Sequence, residues 1–243
     1  MRDILIITTP HDQAAFQHLL GDGKKWGINL QYAAQPKPNG LAEALIIAED
    51  FLDGAPSALI LGDNLFFGRD FTKATQTAFS YDGGATVFGY HVNNPSDYGV
   101  VGFDDNFQAI SLEEKPVEPQ SNYAVTGLYF YDNKASEYAK TITPSARGEL
   151  EITSLNEIYL NKGKLSVELL GEGTAWLDTG THRSLLQAAQ FVNVLEERQG
   201  RRICCPEMVS FGQGWITAEQ LKILAEPLKK SGYGNYLLKK NYR

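Results

Sequence analysis

Two aspartates stand where short apolar runs give way to turns, in surroundings that suit a hard cation. Asp63 follows Leu59-Ile60-Leu61 within Gly62-Asp63-Asn64. Ligands of open α/β sheets gather beyond the carboxyl ends of strands. A carboxylate there can hold Mg2+, which takes one or two carboxylates and completes its shell with phosphate oxygens and water. The same aspartate equally fits a turn that bonds its own backbone. Asp178, in Trp176-Leu177-Asp178-Thr179-Gly180-Thr181, is the natural second ligand, and it also stands where an aspartate would cap a following helix.

Other groups suit phosphate and sugar. Glu113-Glu114-Lys115-Pro116 closes a strand-like run: Lys115 can meet a phosphate and Glu114 can accept from hydroxyls, or the four form a solvated charged turn. Arg147, in Arg147-Gly148-Glu149-Leu150-Glu151, is either a phosphate contact or the partner of Glu149 or Glu151. Gln35-Pro36-Lys37-Pro38-Asn39-Gly40 is a proline-stiffened loop. In it Gln35 can donate and accept at once, as a pyrimidine edge requires, and Gly40 admits close approach by a flat ligand; a rigid connector is the plainer alternative. Gly99 and Gly127 interrupt strand-like runs, which marks a ligand in close approach or a bulge. The four histidines make no zinc spacing, and no GxSxG, GxxxxGK[ST] or GxGxxG is present.

The elements that must position these groups alternate at first. Ile4–Thr8, Asn29–Ala34, Ala58–Leu61 and Ala85–Tyr90 read as strands. Between them lie helical stripes over His11–Leu20, Leu41–Phe51 and Phe71–Phe79. Such alternation predicts an α/β fold with a doubly wound, mostly parallel, Rossmann-like sheet. Val100–Phe103, Ala109–Glu113 and Tyr123–Tyr131 follow on short turns and predict antiparallel additions. Helices are expected over Lys134–Thr141, Ile152–Asn161 and Thr181–Arg198, with a strand over Lys164–Leu170. Residues 1–200 make the main domain. The composition then shifts, and 201–243 read as a small helical appendage with helices over Thr217–Lys229 and Tyr236–Lys240.

Composition narrows the class. Of 243 residues, 43% are hydrophobic and 21% charged, as in an ordinary globular protein. No apolar run reaches the ~20 residues of a membrane span, and Met1-Arg2-Asp3 opens no signal peptide, so a cytoplasmic protein without membrane partners is expected. The net charge of −7 argues against a nucleic-acid partner but not against a nucleotide. The only two cysteines, Cys204 and Cys205, are adjacent and read as reduced thiols.

The motifs are individually short, but their order is specific. Gln35-Pro-x-Pro-x-Gly-Leu-Ala, Gly62-Asp63-Asn64, Tyr98-Gly99-Val100, Glu114-Lys115-Pro116, Val125-Thr126-Gly127-Leu128-Tyr129, Arg147-Gly-Glu-Leu-Glu-Ile-Thr153 and Trp176-Leu-Asp-Thr-Gly-Thr181 together resemble the sugar nucleotidylyltransferase family, in its glucose-1-phosphate thymidylyltransferase branch. The resemblance runs from Met1 to about Arg243. It implies an enzyme that moves a thymidylyl group from dTTP to glucose 1-phosphate, with Mg2+ on Asp63 and Asp178, for polysaccharide precursors, in a homotetramer. It further implies base recognition by Gln35 and Gly40. Gly99, Glu114 and Val125 would line the sugar pocket, Lys115 and Arg147 would meet the sugar phosphate, and Tyr129 and Trp176 would flank the pocket. Lys115, Asp63 and Asp178 would be the catalytic groups. UTP- or ATP-using relatives share these motifs. One family element has no match: the opening strand and glycine-rich loop GGxGTRLxPxT that grips the triphosphate. The chain thus starts one strand–loop–helix unit late. The expectation is little turnover by this chain alone, or a binding module without catalysis.

Overall fold

The computed structural model describes residues 1–80 and 83–239. They divide into two compact units: Lys37–Ala188, and Met1–Pro36 together with Ala189–Arg243. The expected boundary at residue 200 follows composition, whereas this division follows contacts and falls inside one long helix.

The unit of Lys37–Ala188 holds most of the sheet. Its strands are β3 (Ser57–Ile60), β4 (Asn64–Phe67), β5 (Ala85–His91), β6 (Gly99–Phe103), β7 (Ala109–Glu114), β8 (Tyr123–Tyr131), β9 (Leu165–Leu169) and β10 (Ala175–Asp178). The order is β7-β6-β8-β5-β9, with β3 also on β8 and β10 paired separately with β4. Both faces of this sheet are covered, as the α/β class requires. On one face Val87, Tyr129 and Tyr131 pack against α2 (Glu43–Ile47), α5 (Ala135–Ala139) and α6 (Ile152–Asn161) through Leu45, Ala135 and Leu155. On the other, Phe88 and Leu128 meet Ala78 of α4 (Arg69–Ser80) and Phe66. Val87 and Phe88 take opposite faces because strand side chains alternate. The helix expected over Leu41–Phe51 breaks at Ala48 into α2 and α3 (Glu49–Leu52).

Parallel pairing is confined, among the described residues, to β5 with β9 and to β1 with β2; the other pairings are antiparallel. The sheet is therefore mixed rather than mostly parallel. The reason is connection length. A parallel crossover needs about a dozen residues or more, and the links between β6, β7 and β8 are shorter than that. Along β5 and β8, Val87 pairs with Tyr129 and Gly89 with Val125. Thr126-Gly127-Leu128 therefore bulge from the β5 ladder, while on the other side Leu128 pairs with Ile60 and the Gly127 carbonyl accepts the Leu61 N–H at 2.9 Å.

The other unit begins with β1 (Asp3–Thr8), α1 (Gln13–Leu20) and β2 (Asn29–Ala34), a βαβ unit in parallel register. α7 (His182–Gln199) runs from the larger unit into this one, and α8 (Pro206–Gly212), α9 (Ala218–Ala225) and α10 (Gly232–Leu238) follow. α9 lies within the expected Thr217–Lys229 helix and α10 overlaps the expected Tyr236–Lys240 helix but begins four residues earlier, while α8 was not expected; Lys240 and residues 241–243 lie outside the described residues. Cys205, Ile216, Leu221, Ala225 and Leu237 form a small core of their own. A full capping box between Thr217 and Gln220 starts α9. Trp26 Nε1–H donates to Glu207 Oε1 at 3.3 Å, and the Tyr233 hydroxyl donates to Glu207 Oε2, so the buried carboxylate is satisfied.

Candidate functional site

The two aspartates are brought together by two four-residue strands that the sequence pattern does not reveal. β4 and β10 run antiparallel, with Asn64 opposite Asp178 at the end of the pair. Asp63 precedes β4, and its carbonyl accepts both the Thr179 N–H at 2.9 Å and the Thr179 hydroxyl at 2.8 Å. Asp178 Oδ1 accepts the Gly180 N–H at 2.9 Å. A methyl placed on Gly180 would lie 3.1 Å from Asp178 Oδ1 and 3.6 Å from Asp63 Oδ2, so both carboxylates flank one glycine. Neither makes an ion pair among the described residues. No group of three or more acidic, histidine or cysteine side chains gathers there either. Two hard oxygen ligands with positions left for phosphate and water fit Mg2+ and do not fit a closed protein cage for calcium or zinc.

Next to them, Asn64 bonds in three directions. Its Nδ2 donates to Asp63 Oδ1 at 2.8 Å. Its Oδ1 accepts the Gly127 N–H at 3.1 Å and Trp176 Nε1–H at 2.6 Å. The Trp176 ring packs on Tyr98 at 5.1 Å and edge-on to Tyr90 at 5.7 Å between centroids. Burial, then the nearby carboxylates of Asp178 and Asp97, push the Tyr98 hydroxyl above its ordinary pKa.

A second cluster forms where β6, β7, β8 and α6 meet. Gly99 pairs with Glu114 across β6 and β7. A methyl on Gly99 would lie 3.1 Å from Thr153 Oγ1, 3.3 Å from Glu114 Oε2 and 4.0 Å from Val125 Cβ. The Thr153 hydroxyl donates to Glu114 Oε2 at 2.6 Å. Lys115 is exposed and held at a left-handed φ of 46°, with its N–H on the Tyr98 carbonyl at 3.0 Å. Left-handed backbone at a non-glycine residue costs about 1 kcal/mol or more and concentrates at functional positions. Behind the cluster Tyr129 is buried, and its hydroxyl is pushed far up in pKa by burial and then by Glu114.

Arg147 shows the ion-pair alternative. It donates through Nε and Nη2 to Glu151 Oε1 at 3.2 and 2.9 Å, and reaches Glu149 at 3.6 Å and Glu114 at 3.5 Å. The Glu151 hydrogen bond, more than any other contact, raises its pKa. Its side chain remains 44% exposed, against 10% for Glu151. Gly40 also has a structural reason: at φ 107°, any Cβ there would collide with the Leu150 backbone. Gln35 follows β2 in the other unit, half-buried, with its N–H on the Thr8 carbonyl at 2.8 Å. The fold thus joins Asp63 to Asp178, and Gly99 to Glu114 and Val125. Asn64 and Thr153 have site contacts that the sequence reading did not assign, although both lie inside its motifs, Gly62-Asp63-Asn64 and Arg147 to Thr153; Glu151 is the ion-pair partner offered as the alternative for Arg147.

A family model described as nucleotidyl transferase matches residues 1–194. A glucose-1-phosphate thymidylyltransferase of Xanthomonas campestris pv. campestris is 60% identical over 237 residues, covering 98% of this chain and 80% of the relative. One from Mycobacterium tuberculosis is 55% identical over 238 residues, covering 98% and 82%. Among solved structures, a Bacillus anthracis protein provisionally named a glucose-1-phosphate thymidylyltransferase, in complex with a sucrose, aligns with a TM-score of 0.71 at 39% identity over 78% of this chain and 76% of that one. A UDP-glucose pyrophosphorylase complexed with UDP-glucose aligns with a TM-score of 0.65 at 20% identity, covering 78% and 80%, a likeness of fold alone.

Proposed function

The chain belongs to the nucleotidyl transferase family, and on that premise we propose that it serves the thymidylyl transfer of its relatives, joining dTTP to glucose 1-phosphate to give dTDP-glucose and pyrophosphate. The observation that carries this reading is the convergence of Asp63 and Asp178 on Gly180, in the same unit as the Gly99–Glu114–Val125 cluster.

The chemistry asks little covalent work of the protein. A phosphate oxygen of the sugar phosphate attacks the α-phosphorus of dTTP; a P–O bond forms, the α–β bridge breaks, and the electron pair leaves with pyrophosphate. The attacking group is already anionic, so no protein base is needed, and the barrier falls through positioning and charge neutralisation. Asp63 and Asp178 would hold Mg2+, which when bound neutralises charge on the α-phosphate. Lys115 neutralises the attacking phosphate. Glu114, fixed by Thr153, accepts from a sugar hydroxyl, with Val125 and Gly99 shaping the pocket and Tyr129 and Trp176 backing it. Arg147 serves the sugar phosphate when it turns from Glu151, and Gln35 and Gly40 serve the base. The same reading carries over from the family a homotetramer, a cytoplasmic location and a role in polysaccharide precursor supply; among the described residues no helix is long and apolar enough to cross a membrane.

A second reading is binding of dTDP-glucose without transfer; the loop after β1, whose Thr9 hydroxyl bonds Asp12 Oδ2 at 2.7 Å, supplies no lysine, arginine or glycine of its own to a triphosphate. Pyrophosphate release from dTTP, and from UTP in parallel, with glucose 1-phosphate and Mg2+ tests the transferase. Calorimetric binding of dTDP-glucose tests the module. Binding without turnover selects the second reading, and loss of both in the unchanged chain sinks the proposal.

A further inference from the structure

The three bonds of Asn64 determine how its amide must lie. The Gly127 N–H and the Trp176 indole N–H can only donate, and both reach one atom of the side chain. The Asp63 carboxylate, when ionised, can only accept, and it faces the other atom. Exchanging the amide oxygen and nitrogen would set donor against donor twice and acceptor against acceptor once. The oxygen therefore faces the β8 bulge and Trp176, and the NH2 faces Asp63. Glycine at 127 makes this possible, because a Cβ there would stand 2.5 Å from Asn64 Oδ1. With Asp63 Oδ1 occupied by Asn64, Oδ2 is the oxygen turned toward Gly180 and Asp178. Metal-ligating carboxylates are ordinarily oriented in this way by an outer partner.

We propose that Asn64 is a positioning residue that sets the rotamer of Asp63 for a divalent cation and ties that setting, through one amide, to Trp176 and the Gly127 bulge. The cation pair and the Trp176–Gly127 contact are then adjusted together: a shift of the Trp176 ring or the bulge displaces Asn64 Oδ1, and the Nδ2 contact to Asp63 moves with it. The inference rests on the reading of Asp63 and Asp178 as the metal pair.

The test uses the full chain with Mn2+ alone as probe, its affinity read by electron paramagnetic resonance. The Trp176 indole N–H is followed by 1H–15N correlation, identified among the three tryptophans by its loss in Trp176→Phe. Asn64→Ala is expected to weaken Mn2+ binding about tenfold and to move the indole resonance upfield as its acceptor is lost. Asn64→Asp keeps an acceptor oxygen for Gly127 and Trp176, so the indole resonance returns to its original place. If Asn64→Ala does not fold, Asn64→Asp is the folded variant in which the donor to Asp63 is gone, and its Mn2+ affinity must differ from that of the unchanged chain. Mn2+ affinity within about twofold of the unchanged chain in the folded Asn64 variants, a margin far inside the usual outer-shell effect, overturns the inference. So does an indole resonance that ignores Asn64→Ala or that Asn64→Asp does not restore. Asp63→Asn and Asp178→Asn separate the two ideas. If they hold Mn2+ like the unchanged chain, the metal reading itself fails; if they lose it while the Asn64 variants keep it, only the role of Asn64 fails.

Discussion

At the junction of β4 and β10, Asp63 and Asp178 flank Gly180 with no lysine or arginine paired to either among the described residues. At the corner where β7 meets α6, Glu114, Glu149 and Glu151 close around Arg147. Both corners are acidic, yet they are built in opposite ways. The first holds each carboxylate through neutral donors, Asn64 and the Gly180 N–H, so its negative charge is oriented but not cancelled. The second neutralises part of its charge internally, one guanidinium facing three carboxylates, with Arg147 and the Ser145 hydroxyl both on the buried Glu151. Carboxylates held by neutral donors leave their charge without an ion-pair partner, whereas the guanidinium of the second corner draws three carboxylates around one cation.

The sharpest way to break this comparison is to neutralise the open corner. Asp63→Asn or Asp178→Asn should lower Mn2+ affinity by more than about a hundredfold, since loss of a ligand exceeds the usual effect of an outer partner. The urea midpoint should stay unchanged or rise, because a repulsive charge has gone. A clear loss of stability would mean that these carboxylates hold the fold together. At the closed corner the signs reverse. Glu151→Leu should cost about 2–3 kcal/mol in urea unfolding, less than for a fully buried pair because Arg147 stays partly solvated, and it should leave Mn2+ affinity alone.

Behind the closed corner lie three buried tyrosines, Tyr129, Tyr131 and Tyr159, with their rings in contact in series. Burial, more than any neighbour, raises all three hydroxyls. A raised folded pKa means that the folded state binds the proton more tightly. The stability these groups contribute is fully present below the ordinary tyrosine pKa of about 10 and is lost as pH rises above it. Alkaline titration followed at 295 nm should show tyrosines that ionise only as the protein unfolds, and urea midpoints should fall above about pH 10. Early titration of all twelve tyrosines would contradict the packing. The smallest effect belongs to Thr153→Val. It should cost about 1 kcal/mol or less and raise the KM for glucose 1-phosphate, or weaken dTDP-glucose binding, without altering Mn2+ affinity. An effect on Mn2+ would show that the two corners are not independent.

Much of the fold was legible because its signals are local. The β-branched run at Ile4–Thr8, the strand-like run Tyr123–Tyr131 and the helical stretch Ile152–Asn161 each carry their signal within one short segment, and each forms within a residue or so of the expected bounds. What escaped were β4 and β10. Four residues are too few for a period, and Asn-Leu-Phe-Phe and Ala-Trp-Leu-Asp become strands only through each other, across more than a hundred positions of chain. The mixed direction of the sheet was hidden for a related reason, since pairing partners are decided by connection geometry rather than by composition.

By itself the sequence determined the α/β class, the family through the order of its motifs, and the candidates Asp63, Asp178, Glu114 and Lys115, because residue type and spacing are properties of the chain. Only the tertiary structure decided which candidates meet, that Arg147 pairs with Glu151 and Gly40 abuts the Leu150 backbone, and that Asn64 stands between Asp63 and Trp176. Hydrogen-bond satisfaction and charge cancellation depend on distances of a few ångströms between residues remote in sequence, and those distances exist only once β4 has found β10 and β8 has bulged at Gly127.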